Sequence, residues 1–153
     1  MTIEHSLIED PNIHEPKGVA TAGAGKFYVA DGSGSGSWGF TSHYLTLDIP
    51  DITTVTDYYV VAPFTGTITK IYSVIDGVIA SANKVLTASI NGTDVTNGAI
   101  TIAYSGSAAG DVDSCTPTAL NTVTAGQAIK IAATGATTNS VRVHVVIQIQ
   151  RTA

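Results

Sequence analysis

The stretch from Val141 to Gln150 alternates without a break. Val141, Val143, Val145, Ile147 and Ile149 fall in one phase, and Arg142, His144, Val146, Gln148 and Gln150 in the other. A β-strand sends successive side chains to opposite faces, so the pattern predicts a strand with one face in a core and a mostly polar face outside. The same signature recurs upstream. Leu45, Leu47 and Ile49 alternate with Thr46 and Asp48, and Leu86, Ala88 and Ile90 with Val85, Thr87 and Ser89. Ile100, Ile102 and Tyr104 alternate with Thr101 and Ala103, and Ile129 and Ile131 flank Lys130. Gly66–Ile75 is rich in Thr, Ile, Tyr and Val, which suit a pleated surface. Tyr58–Ala62 is an unbroken apolar run closed by Pro63, as expected of a strand covered on both faces. Asn91-Gly92 follows its strand at once and predicts a two-residue hairpin turn, and a second Asn-Gly stands at Asn97-Gly98. With about eight short strands and no amphipathic helix, save a single turn allowed in Asp76–Asn83, the expectation is all-β: a single jelly-roll-like antiparallel β-sandwich.

Composition agrees. A chain of 153 residues buries roughly 70% of its unfolded surface on folding, enough to stand without disulfide or metal. Only 12% of residues are charged, about half the usual share, which suits packed strands and short polar turns better than helices. Mean hydropathy is positive, yet no apolar run approaches the roughly 18 residues of a spanning helix, so no membrane partner is expected. The opening MTIEHSLIEDP is acidic and is not read as a signal peptide. Net charge is −5 and the seven Lys and Arg are scattered, whereas a phosphate-binding surface clusters its cations, so no nucleic-acid partner is expected. One cysteine, Cys115, forbids an internal disulfide and any multi-cysteine zinc site, and fits synthesis in a reducing cytoplasm.

Residues 1–25 show neither strand nor helix period. They hold Pro11 and Pro16 and four of the twelve acids, Glu4, Glu9, Asp10 and Glu15. Each proline blocks helix continuation and biases its neighbour toward extended geometry, so the segment reads as an extended arm. Asp31–Ser37 is a glycine-serine run, either a flexible linker or backbone pressed on another surface. The expected division is therefore an arm and Gly/Ser segment over residues 1–37 and a sandwich over 38–153.

Each chemical motif fails on inspection. Gly23-Ala24-Gly25-Lys26 invites a phosphate-loop reading, but Ala20 stands where the first glycine belongs, Phe27 replaces the hydroxyl residue, and no helix pattern follows. His5, His14, His43 and His144 are far apart, and nothing marks a Ser or Cys held by a base that a third group orients. Cys115 reads as a half-buried small residue. Asp111 and Asp113 are two carboxylates at i and i+2 in a loop, a spacing that can share a hard cation, but no further acids follow, and the simpler reading is solvated loop acids. Trp38, Phe40, Tyr44, Tyr58, Tyr59 and Tyr72 offer material for a sugar-stacking platform, though most are more simply core or interface anchors. No catalytic residue, cofactor or metal is expected. Outward phases rich in Thr, Ser, Asn and Gln suit close, repeated subunit contacts, and an arm that cannot fold alone gains order on a partner.

Two stretches carry a family resemblance. His14–Ala22 (HEPKGVATA) followed by Tyr28–Trp38 (YVADGSGSGSW) resembles the N-terminal anchor of tailed-phage head decoration and head fibre proteins. Gly66–Gly77, Ile90–Thr93, Gly106–Asp113 and Val123–Gly126 are similar to the β-sandwich domain of such virion proteins. The resemblance implies a non-enzymatic, capsid-binding protein on the virion surface, assembled in the host cytoplasm and often oligomeric, with a trimer the favoured state. The expected partner is the major capsid protein, with Ile3, Leu7, Ile8, Ile13, His14, Pro16, Lys17 and Trp38 as the expected contact residues of the arm, which the resemblance itself does not define one by one. The rival expectation is a fibre or tail module whose sandwich recognises host surface glycans.

Overall fold

The structure, a computed structural model, describes residues 22–33 and 36–152. They fall into two units that divide between Phe40 and Thr41.

The first unit is a β-hairpin. Strand β1 (Phe27–Ala30) pairs antiparallel with β2 (Gly36–Gly39), with Tyr28 opposite Trp38 and Ala30 opposite Gly36. The glycine-serine run, expected as a linker or a backbone against another surface, instead joins these strands. The Asp31 carboxylate accepts the Ser33 amide at 2.8 Å, an Asx turn that starts the reversal. A side chain at Gly36 would strike the Val29 carbonyl, so the close return of β2 requires glycine there. Trp38, expected to open the sandwich, belongs to the hairpin instead.

The second unit is an antiparallel β-sandwich. Its strands are β3 (Ser42–Ile49), β4 (Asp57–Val61), β5 (Gly66–Ile75), β6 (Lys84–Ile90), β7 (Thr93–Ile102), β8 (Val112–Cys115), β9 (Thr122–Val123), β10 (Ala128–Thr134) and β11 (Val143–Arg151). One sheet runs β3-β11-β5-β8, with β9 also on β5, and the other runs β4-β10-β6-β7. This is the strand order of a jelly roll. Almost every connection crosses from one sheet to the other; the β6–β7 hairpin stays within its sheet and is the one closed by Asn91-Gly92, where φ of 51° and 79° gives the doubly left-handed turn foreseen for that dipeptide.

The core lies between the sheets. Ile49, Ile68, Ile71, Ile75, Val143, Val145, Ile147 and Ile149 face it from one side, and Leu86, Ala88, Ile100, Ile102, Ile129 and Ile131 from the other. All five alternations read from the sequence hold in their expected phase, except that Tyr104 lies beyond β7 and is exposed.

Three local expectations are corrected. Tyr58–Ala62 is not covered on both faces: β4 is an edge strand whose Tyr58 and Val60 pack on the core while Tyr59 and Val61 face out. Asn97-Gly98 makes no turn. It lies in a bulge within β7, where the register jumps so that Thr87 faces Ala99 while Ser89 faces Asp94. The bulge is held from outside the sheet, because Thr96 bonds Ala119 and the Asn97 side chain donates to Thr118 at 3.0 Å. Asp76–Asn83 contains bends and no helical turn.

Among the described residues one charge is inside. Lys84, in the same phase as Leu86, Ala88 and Ile90, is 0% exposed. Its ammonium donates to the Gly135 carbonyl at 3.1 Å and the Thr54 carbonyl at 3.4 Å. Burial lowers its pKa, and the nearby Asp51 charge offsets part of that. Asp51 itself accepts the Thr53 hydroxyl at 2.7 Å and the Thr53 amide at 2.9 Å, bonds that hold its carboxyl below the usual range.

Candidate functional site

The outer face of the β3-β11-β5-β8 sheet carries exposed aromatic, polar and charged side chains. Register places its side chains in rows. Tyr44, Gln148 and Lys70 are aligned across three strands; Thr46, Val146, Tyr72 and Ser114 across four; and Asp48, His144, Val74 and Val112 across four again. Tyr44 is 61% exposed and Tyr72 36%. They sit on strands separated by β11, about 10 Å apart across the sheet. Lys70 joins the two aromatics' neighbourhood: its ammonium lies 5.7 Å from the Tyr72 ring centre and 3.1 Å from the Thr116 hydroxyl. The Gln148 amide donates to the Ser42 hydroxyl at 3.3 Å. Aromatic faces, an amide, hydroxyls and one cation thus lie together on this outer face.

His144 ends this face. Its Nδ1 lies 2.6 Å from Asp48 on β3 and its Nε2 3.3 Å from Asp76, just past β5. With both nitrogens turned to carboxylates, the doubly protonated ring donates to each. The Asp48 hydrogen bond, helped by the charges of Asp48 and Asp76, raises the imidazole pKa. No hydroxyl or thiol bonds this ring among the described residues, so its geometry is that of an ion-pair clip rather than of a base beside a nucleophile. Because the folded pKa lies above the unfolded one, the clip's contribution to stability is complete below pH 6.5 and is lost as pH rises through the folded value. An NMR titration is expected to show His144 protonating above its ordinary range, with Asp48→Asn returning the midpoint toward 6.5. An unchanged midpoint in that variant would show that the 2.6 Å contact does not act.

The remaining titratable and glycine-rich groups serve the fold. Gly23–Lys26 forms a turn into β1 with Gly25 at φ 78°, and Lys26 lies over the Phe40 ring at 5.5 Å. His43 bonds the Thr41 hydroxyl at 2.9 Å and rests on Phe64, with ring centres 4.5 Å apart and no carboxylate to orient it among the described residues. Cys115 is half-buried against the core, and burial pushes its thiol pKa up, away from the nucleophilic thiolate. Asp111 and Asp113 line a cavity of about 180 Å³ at one end of the sandwich, and burial, then the charge of Asp111, raises the carboxyl pKa of Asp113. Among the described residues no three His, Cys, Asp or Glu side chains gather as metal ligands.

Of the residues expected to meet a capsid, Ile3, Leu7, Ile8, Ile13, His14, Pro16 and Lys17 lie outside the described residues. Trp38 packs edge-on to Tyr28, centres 5.4 Å apart, on one face of the hairpin. On β1, Phe27 and Val29 are more than half exposed. The Tyr44–Tyr72 face was only partly foreseen. The alternation places Tyr44 in the polar phase of β3, but its position one row from Tyr72 depends on β11 lying between β3 and β5. The His144 clip joins residues 96 and 68 positions apart, beyond any local pattern.

No protein-family model and no curated protein matches the chain. Among solved structures, a carbohydrate-binding module of Clostridium stercorarium, determined with cellobiose, is 12% identical with a TM-score of 0.45, covering 85% of each chain. The chain itself is an all-β protein whose larger unit is an antiparallel sandwich.

Proposed function

We propose that the protein is a non-enzymatic structural component of a phage virion, decorating or cementing the capsid, with its N-terminal segment and hairpin docked on the major capsid protein and the sandwich projecting. The observation that carries this reading is the hairpin unit. Two strands of four residues cannot bury enough surface to be stable alone, and a hairpin in isolation is marginal at best. Yet this one presents Phe27 and Val29 to solvent beside the Tyr28–Trp38 pair. Exposed aromatic and β-branched side chains on a small, separate unit fit a partner surface, since such groups bury large area at little entropic loss. The residues preceding and forming the hairpin are those that resemble phage head anchors, which is the reason for naming a capsid rather than another protein. The jelly-roll order fits but does not discriminate, because viral capsid and lectin domains share it.

Deleting residues 1–40, the arm together with the hairpin unit, is expected to abolish co-sedimentation with capsids of the phage that encodes the chain while leaving the far-ultraviolet circular dichroism of the sandwich intact. Undiminished co-sedimentation overturns arm docking. The second reading, a fibre or tail module binding host glycans, is favoured by the Tyr44–Tyr72 face, where a sugar ring would stack on tyrosine and bond Gln148 and Lys70. A glycan array distinguishes it: signal lost in Tyr72→Ala supports this reading, and no binding counts against it.

A further inference from the structure

Each sheet of the sandwich has two flanks, and among the described residues three of the four are closed against further pairing. β4 has five residues, stops short of Pro63, and carries Asp57 paired with Lys130 at 3.3 Å. β7 is interrupted by its bulge and bridged from outside through Thr96 and Ala119. β8 and β9, which share one flank of β5, have four residues and two. Short strands, charges, prolines, bulges and covering loops are the means by which sheet edges avoid unwanted partners. β3 is the exception. It runs eight residues in unbroken register with β11, holds no proline, lysine or arginine, and pairs with no second strand among the described residues. Its one carboxylate, Asp48, is already held by His144 at 2.6 Å.

The open groups of β3 follow from its ladder. The Arg151 amide donates to the Thr41 carbonyl at 3.2 Å, one step beyond the Ser42–Gln150 pair. Bonded and unbonded pairs alternate along an antiparallel ladder, so the odd-numbered residues of β3 bond β11. Ser42, Tyr44, Thr46 and Asp48 therefore turn their amides and carbonyls to the open side. Apolar cover is incomplete on β3 as well. Leu45 and Leu47 are only partly buried, while Ile147 and Val145, their partners one strand inward, are 0% and 1% exposed. One more strand would complete both the ladder and the cover.

We propose that this strand is β3 of a second copy, paired antiparallel about a two-fold axis at Thr46. A contact of this kind sets the strand against itself in reverse. With Thr46 opposite the partner's Thr46, Tyr44 meets the partner's Asp48, and these outward-turned residues exchange amide and carbonyl bonds. On the inner face Leu45 meets the partner's Leu47, so every edge leucine gains an aliphatic neighbour. Charge agrees with this register. It sets the two Asp48 positions four residues apart, about 13 Å along the strands and beyond the screening length of about 8 Å at physiological salt. A shift of two residues one way halves that spacing, and a shift the other way sets Leu47 against the partner's His43. Any extended chain could bond the open groups, but leucine on leucine with separated carboxylates selects a second copy. The contact closes as a dimer, in place of the trimer that the resemblance implies, and it rests on neither functional reading above.

The test is the mass of the full chain by light scattering after size exclusion, over a concentration series. Expected is a species of twice the 15.7 kDa chain mass. Thr46→Lys sets two ammonium groups against each other at the axis and should raise the Kd by about tenfold or more, whereas Tyr59→Lys on β4 should leave it unchanged. Amide hydrogen exchange of the parent needs no variant and stands even where one fails to fold. Tyr44, Thr46 and Asp48 should exchange more slowly as concentration rises, with a smaller change at Leu45 and Leu47, whose amides bond β11. A chain that stays single up to about 1 mM overturns the proposal, as does a trimer. So does a dimer that Thr46→Lys leaves intact or Tyr59→Lys dissolves, or one in which the amides of Tyr44, Thr46 and Asp48 stay unprotected.

Discussion

Ile147→Ala is expected to lower the unfolding free energy by about 4 kcal/mol, near the upper part of the range for removing buried aliphatic side chains. Ile147 is fully buried at the middle of β11, between Leu45 and Ile71 in the register and beneath the opposite sheet. Strands on both sides limit how far the backbone can move to fill the void, so the cavity term persists. The loss would be a large fraction of the roughly 5–15 kcal/mol that holds a domain together. The neighbour Val146 points to the outer face and is half-exposed, so Val146→Ala should cost about 1 kcal/mol or less in the isolated chain. Urea unfolding followed by far-ultraviolet circular dichroism checks both. Tryptophan fluorescence is unsuited to it, because Trp38, the one tryptophan, belongs to the hairpin unit. Equal losses for the two substitutions would mean that the outer face of β11 is as closely covered as the inner.

Lys84 gives the second large effect, and its sign depends on the replacement. Lys84→Ala removes a buried stem worth about 0.8 kcal/mol per methylene and strips a donor from two carbonyls, for a loss of about 3 kcal/mol. Lys84→Met keeps most of the stem and removes the desolvated charge, so it should stay within about 1 kcal/mol of the parent, as replacing buried charge by apolar volume often does. The pH dependence separates charge from packing. Burial lowers the folded pKa of Lys84, so the unfolded chain binds more protons between that value and 10.5. Stability should therefore rise with pH across that alkaline window, relative to Lys84→Met, and the two curves should run parallel below it. Parallel curves throughout would show that the ammonium is not desolvated.

The phase of each sheet strand was legible because alternation is a local property. Val141–Ile149 needed only its own residues to show which side faced in, and the same parity assigns Lys84 to the core in company with Leu86, Ala88 and Ile90. What failed depended on neighbours. Tyr58–Ala62 is apolar on both faces, yet whether both are covered is decided by its place at a sheet edge, next to β10 only. Asn97-Gly98 has the residues of a hairpin turn, and Asn97 does take φ of 56°. The chain continues in β7 because Ala119 and Thr118 supply partners that a turn would have found within the hairpin. The strand order was closed to inspection for the same reason, since nearly every jelly-roll connection joins different sheets.

The site was less legible than the fold. Tyr44, Tyr72 and His144 were each in outward phases, while the rows that make them one surface are set by β11.

The position of β11 has a consequence for biosynthesis. The central strand of its sheet is made after both strands that flank it, so β3 and β5 leave the ribosome with facing edges that only residues 143–151 can join. Until then the nascent chain carries two open ladders, β3 with Leu45, Leu47 and Ile49 and β5 with Ile68, Ile71, Val74 and Ile75, the kind of edge that recruits stray strands. Folding must therefore wait for translation of β11, and with pairings this distant it should take milliseconds to seconds. A ribosome stalled before Val143 would hold an aggregation-prone chain, and one stalled well past Arg151 a closed sheet.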